Sequence, residues 1–454
     1  MSLAITIIFL AAVFLIGILK TGSNNTTADF FVSGRNGSTL RITGSLIATI
    51  IGGSATLGVA GLGFSMGLPA LWWLLSGSVF LFILGIFFAG KVREMEVFTL
   101  PEVLYAQYGS DSLRIISSVV IIIAWLGIVS AQIAAAGKII NLLLPGHFTS
   151  AVILFGSIFI IYTMAGGQRS VIRTDAVQTV LIFSGIGLLF IILFMKFGYF
   201  WNLPLPEGHL NFPVNYRFSY YNLLGYFLFV GTSFLAGPDM YSRILSAKDK
   251  RTARNSVLAA AALVALFAII ITAIGIYGKS LYPGIESESV FPKLILEQLP
   301  EWIKGIVVAT LLAAFLSSAN TCLITSCIIL NSDIINPLFF KGAMEERKQV
   351  FLTRILILIM GSLAILITLY LGGIIKSMLF ALTIYTTGLI IPVVLGFYRK
   401  NLSLNRYGAI AAVITGSSVS LIFKFLSMGK YNLLLFPAVI IIIFTVSYLT
   451  KGKD

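Results

Sequence analysis

Charge is scarce in this chain. Of 454 residues, 11% are Asp, Glu, Lys or Arg and 58% are hydrophobic, where a soluble domain carries roughly 25% charged residues. That shortage excludes a water-soluble fold, which could not cover so much apolar surface. Histidine and cysteine are scarcer still, at two of each. Cys322 and Cys327 share one apolar segment. Their spacing points them to different faces of a helix, so a mutual disulfide is not expected and the redox compartment is not informed. His147 and His209 both fall between apolar segments. No His/Cys/acid cluster with metal-ligand spacing and no nucleophile–base pair lies within the apolar segments. A membrane enzyme therefore ranks last, and the chain is read as a non-enzyme. Acidic residues are too few to balance the basic ones, and the net charge is +14. In a soluble protein that would hint at nucleic acid. No basic stripe with interleaved aromatics is present, so no nucleic-acid partner is expected.

What the chain has instead is apolar runs of about 20 residues from end to end, each long enough to cross a bilayer. Thirteen spans are expected, at 3–19, 42–66, 68–89, 115–144, 148–165, 176–194, 221–241, 257–277, 303–330, 351–371, 378–398, 407–426 and 433–449. The chain is therefore read as an all-α polytopic membrane protein whose partner is the lipid bilayer. The first span lacks a positive n-region and a small-residue cleavage site, so it is expected to be a retained helix. Most of the 31 Lys and Arg residues fall in alternate loops, among them Arg93, Arg114, Arg169, Arg173, Arg251, Lys348 and Arg399. This bias places the N-terminus outside and the C-terminus in the cytoplasm of a cell (inner) membrane. No soluble domain is attached between the spans.

Two spans are interrupted by glycine. The second carries Gly52 and Gly53, with Gly58, Gly61 and Gly63 beyond, and the seventh carries Gly225, Gly231 and Gly237 followed by Pro238. They lie five spans apart. Inverted-repeat transporters place broken helices in corresponding positions of two halves, with the site where the breaks meet. The alternative is that these glycines only allow close helix packing. In the ninth span Ala314, Ser317 and Ser318 share one helix face. Two hydroxyls and the carbonyls of Ala48 and Ile51, loosened by a break in the second span, would suit a hard cation. Equally, the serines could bond back to their own helix. Asp175 opens the sixth span, either as a functional acid entering the membrane or as a helix-start acid paired with Arg173. Asp239 stands four residues before Arg243, which suits an i,i+4 pair. Trp72, Trp73 and Trp125 lie in spans that could line the cavity, or serve interface or packing roles.

These residues resemble the sodium/solute symporter family, which includes the bacterial proline, galactose and sialic acid symporters. The resemblance rests on Gly166, Gly167, Ser170, Val171, Thr174, Asp175 and Gln178, similar to the family's GG-x-x-A-V-x-x-T-D-x-x-Q run. It rests also on Ser45 to Ala48 leading into the break, on Phe98, Thr99, Leu100, Pro101 and Glu102, on Arg243 with Ala247 and Lys248, and on Ser317 with Ser318. It covers nearly the whole chain. It implies a LeuT-like core of two inverted five-helix halves, here 42–220 and 221–398. An extra N-terminal helix and loop would occupy 1–41, and two extra helices 399–454. It implies sodium as the coupling ion, held by the carbonyls of Ala48, Ile51 and Ala314 and the hydroxyls of Ser317 and Ser318. A possible second sodium would map onto Asp175, Ser317, Asn320 and Thr321, although Asn320 and Thr321 stand where the two-sodium members have two hydroxyl residues.

The family's solute pockets do not carry over residue by residue. Around the matching positions stand Ala55, Trp73, Leu74, Val230 and Ser233. The proline symporters use an acidic residue in the second span, and none stands there. A small, partly apolar solute is expected, an amino acid or carboxylate rather than a sugar. Backbone N–H groups at Gly52, Gly53 and Ser54 would receive a carboxylate. The expected function is sodium-coupled import of a small organic solute by alternating access. The rivals are a proton-coupled carrier and a membrane solute sensor; the first would want a buried Glu or His relay, the second an output domain.

Overall fold

The computed structural model describes residues 26–371 and 374–452. The expected first span, 3–19, lies outside the described residues. All regular secondary structure among the described residues is helical, apart from two isolated bridges. The short helix α1 (Thr27–Val32) precedes α2 (Thr39–Ile50), α3 (Ser54–Met66), α4 (Leu68–Glu94), the short α5 (Leu100–Tyr108) and α6 (Asp111–Leu143). Then come α7 (Phe148–Phe197), α8 (Tyr220–Ser246), α9 (Lys250–Leu281), the short α10 (Val290–Gln298) and α11 (Glu301–Phe340). The last four are α12 (Glu346–Leu371), α13 (Ile374–Gly396), α14 (Arg406–Phe425) and α15 (Tyr431–Leu449).

Among the described residues nine helices are long and apolar enough to cross a membrane, and α2 with α3 makes a tenth candidate bent by 62°. That bent pair is the expected second span. The expected fifth and sixth spans appear as the continuous 50-residue α7. Straight, it would run about 75 Å, far beyond the ~30 Å hydrocarbon core. Gly167, at φ 59° and ψ −174°, divides it. A side chain there would be strained by the backbone and would strike the Phe30 ring of α1. The double glycine read as a family motif is thus the turn between two spans. The seventh and ninth expected spans are α8 and α11.

The loops start helices with capping side chains. Ser110 caps α6, Asp249 caps α9 and Asn405 caps α14, each accepting a backbone N–H three residues on. Thr99 caps α5, and Glu102 reaches back to the Phe98 N–H at 2.7 Å. Glu102 also pairs with Arg114, which holds Asp333 at 2.5 Å. The Phe98–Glu102 stretch therefore ties α5 to α6 and α11.

The core runs along α11, whose apolar window is 94% buried against 28% for α7. It packs on α2, α6, α7 and α12. The outward faces carry exposed apolar side chains such as Phe87, Ile161, Val180 and Leu366, which fits a lipid-facing surface. Behind the second span, α3 and α9 approach so closely that a Cβ on Gly275 would meet the Ala60 carbonyl. This small-residue contact holds the outer arm of the bend against a straight helix.

Candidate ion and solute site

The bend between α2 and α3 rearranges four backbone groups. Ile51 turns to φ −87° and ψ 71°. The Gly52 N–H then donates to Ile50 O at 3.0 Å, and the Gly53 N–H donates to Gln132 Oε1 of α6 at 2.6 Å. In an unbroken helix these two donors would serve the carbonyls of Ala48 and Thr49. Freed from them, both carbonyls face α11, where the Ser318 Oγ lies 3.1 Å from Ala48 O and 2.8 Å from Thr49 O. The approach needs a glycine: a Cβ on Gly52 would stand 2.5 Å from both Ser318 Oγ and Gln132 Oε1. Ala314 is fully buried one turn before Ser318. The structure thus brings Ser318 onto the Ala48 carbonyl, with Ala314 one turn away on the same helix. It adds Thr49, which the sequence reading missed, while Ile51 is the pivot of the bend. The exposed oxygens are neutral and hard, and they suit a small monovalent cation.

Ser317 faces elsewhere. Its Oγ donates to Asp175 Oδ1 at 2.5 Å. Asp175 Oδ2 accepts from Ser45 Oγ at 2.5 Å and from Arg243 Nη2 at 3.2 Å. Arg243 also donates to Ser45 Oγ at 3.0 Å, to Ser242 Oγ at 3.0 Å and to Thr321 Oγ1. Asp175 and Arg243 are both fully buried. Removing one member of such a pair leaves an uncompensated charge and costs about 3–5 kcal/mol. The expected partners were different, Arg173 for Asp175 and Asp239 for Arg243. Residues adjacent along a helix are the easy guess, but the guanidinium reaches across to the sixth span instead. Of the possible second-sodium residues, Thr321 touches this cluster through Arg243. Asn320 does not, because its Oδ1 accepts from Thr163 at 2.6 Å.

Beside the bend lies a cavity of about 50 Å³. Both interrupted spans line it: Thr49, Ile50, Ser54 and Ala55 from the second, and Val230, Ser233, Phe234, Asp239 and Met240 from the seventh. Trp73, Leu74, Trp125, Gln132, Ser318 and Cys322 complete most of the wall. Ser54, Ala55, Trp73 and Ser233, named from the sequence as solute-site candidates, are among the lining residues. Gly52 and Gly53 are not among the lining residues, and their N–H groups are occupied, so they do not form the expected carboxylate cradle. The Ser233 hydroxyl donates to its own helix, at Val230 O, 2.6 Å away. Trp73 packs edge-on against Tyr226, and Trp125 edge-on against Tyr385. Gln132 and Asp239 were missed as wall residues, whereas Trp125 stands in a span read from the sequence as one that could line the cavity. For Asp239 the signal was present, since it follows directly on Gly237 and Pro238 at the second interruption.

Two broken spans meeting at one cavity, with a cation-suited oxygen set beside it, describe a carrier of ions and solutes. The sodium:solute symporter family model matches residues 30–416. The chain belongs to that family. It is therefore a multi-pass membrane transport protein and not an enzyme, as expected. Among relatives of this family member, the sodium/pantothenate symporter of Haemophilus influenzae is 23% identical, over 94% of this chain and 90% of its own length. The osmoregulated proline transporter OpuE of Bacillus subtilis is also 23% identical, over 93% and 88%. Sodium/glucose cotransporter 4 of Danio rerio is 23% identical over 80% of this chain, which spans 62% of that longer relative. Among solved structures, a substrate-bound, outward-open Na+-coupled sialic acid symporter superposes with a TM-score of 0.82 at 18% identity, covering 99% of this chain and 98% of the other. Mhp1, a nucleobase-cation-symport-1 family transporter, gives 0.62 at 13% identity, covering 95% and 96%. The fold is thus the LeuT-like one that the resemblance implied.

Proposed function

We propose that the chain imports a small organic solute together with sodium, by alternating access. Sodium binds where Ala48 and Thr49 present carbonyls to Ser318, with Ala314 and Ser317 completing the shell once Ser317 turns from Asp175. The observation that carries this reading is Ser318 seated on the two carbonyls that the bend sets free. A cation there would hold the bend open and order the cavity wall that Thr49, Ile50 and Ser54 supply. Each ligand then favours the other's binding, reciprocally. The two halves, 42–220 and 221–398, would rock about this point. The basic loops favour a cytoplasmic C-terminus in the inner membrane.

We infer a single sodium per cycle. The support is that the Arg243 guanidinium already lies against Asp175 and Thr321, where a second ion would need room. The relatives carry pantothenate, proline or glucose by name, so kinship alone does not choose the solute.

The test is thermal stability of the purified protein across a NaCl series with matched KCl. A saturable, sodium-specific rise is expected, because a ligand of the folded state stabilises it by mass action. Ser318→Ala should abolish the rise. A rise that survives Ser318→Ala would refute the site, and no rise in the wild type would favour proton coupling.

A further inference from the structure

Within the cavity wall, Asp239 is the sole charged side chain among the described residues. It opens the half-helix Pro238–Ser246 after the Gly237 interruption. Backbone N–H groups of Asp239 and Met240 hold its carboxylate. They orient it but bring no full counter-charge. The nearby Arg243 guanidinium attracts it through space but donates its N–H groups to Asp175, Ser45, Ser242 and Thr321 instead. Asp239 itself takes part in no ion pair among the described residues. An acidic side chain at membrane depth with no cation in direct contact is costly and points to a functional partner.

Two further observations describe that partner. Trp125 lines the same cavity at 2% exposure, and its indole Nε1 has no hydrogen-bond partner among the described residues. An indole N–H can only donate, so this orphan asks for an acceptor. The rest of the wall carries the rings of Trp73 and Phe234, whose faces would suit a cationic nitrogen. The charge balance agrees. Asp175 and Arg243 cancel, and Asp239 remains. One sodium on neutral oxygens cancels Asp239. A solute with no net charge then leaves the buried group neutral, whereas an anion or a cation does not.

We propose that the solute is a small zwitterion whose positively charged nitrogen pairs with Asp239 and whose carboxylate receives the Trp125 N–H. The inference rests on the symport reading above and deepens it. It separates amino acids and betaines from plain carboxylates and from sugars. At about 50 Å³ the cavity is small beside the roughly 300–1,000 Å³ of drug-sized pockets, so few-carbon solutes are meant.

The experiment measures the thermal shift that each probe adds in saturating NaCl. The probes are L-alanine, L-proline and glycine betaine as zwitterions, propionate as the deaminated match of alanine, ethylamine as its decarboxylated match, and D-galactose. At least one zwitterion should shift the wild type while its truncated matches do not. Asp239→Asn should weaken that probe about 30-fold or more, since one member of a buried charge pair is lost. Asp239→Glu, which keeps the charge, should recover part of it. Trp125→Phe, which keeps the ring and removes the N–H, should weaken zwitterions. A cooperative melting transition and a monodisperse elution peak report that each variant is folded, and the absence of a sodium-dependent shift from the wild type would count against sodium coupling rather than against Asp239. A panel in which propionate or galactose binds, in which no zwitterion binds, or in which Asp239→Asn binds as the wild type does, would overturn the proposal.

Discussion

The two interrupted spans look alike in outline and differ in what they leave unsatisfied. At Gly52 and Gly53 the protein closes its own accounts: Gln132 takes one freed N–H, Ile50 the other, and Ser318 meets both freed carbonyls. At Gly237 the backbone is extended, at φ −62° and ψ 130°, and a carboxylate is placed on the cavity side of the gap. One interruption exposes neutral oxygens in pairs, and the other exposes charge. On the proposed reading, the same architectural device would yield an ion seat at the first interruption and a docking point for charge at the second.

The strongest way to break this contrast is to cut the pair that joins the two spans. Asp175 and Arg243 bind Ser45 of the second span as well as each other. Asp175→Ala should destabilise the protein by about 3–5 kcal/mol, read as a lowered Tm, and Asp175→Ala with Arg243→Met should recover part of the loss. Next comes Gly52→Ala. Its Cβ would crowd Ser318 and Gln132, costing about 1–3 kcal/mol. The sodium-dependent shift should vanish while zwitterion probes still discriminate by charge. Gln132→Leu should cost about 1–3 kcal/mol by leaving the Gly53 N–H unpaired and should lower sodium affinity, measured by the same titration.

The smallest effect concerns the outer arm of the bend alone. His209 lies outside the spans, buried, with Nε2 3.2 Å from Gly63 O. Burial pushes its pKa below the usual 6.5. The unfolded chain therefore takes up a proton first as pH falls. The stabilisation is present above pH 6.5 and declines as pH drops toward the lowered value. Between pH 7 and 6 the loss should stay under about 0.7 kcal/mol, and His209→Gln should flatten that slope in a Tm-against-pH series.

Much of this was legible in the sequence because the signals are local. Apolar runs mark spans, and glycine pairs mark where a helix stops being regular. The shared face of Ala314 and Ser318 follows from helical spacing. The rest depends on partners far apart in the chain. Arg243 and Asp175 are separated by 68 residues, and no periodicity connects them. The rule for neighbours along a helix paired Arg243 with Asp239 instead, and so hid the acidic residue that, among the described residues, lines the cavity. Thr49 was missed for a related reason. Which carbonyls a bend releases depends on where each N–H goes, and the Gly53 N–H goes to Gln132 on another helix.

Cys322, in the cavity wall, has one further use. The chain holds two free cysteines, and Cys327→Ser would leave a single thiol in the cavity wall. A small maleimide or methanethiosulfonate would reach that thiol at the rate at which the path opens. Timed quenching followed by mass spectrometry would then record gating directly, without a radiolabelled solute and without attaching a fluorophore anywhere else on the molecule.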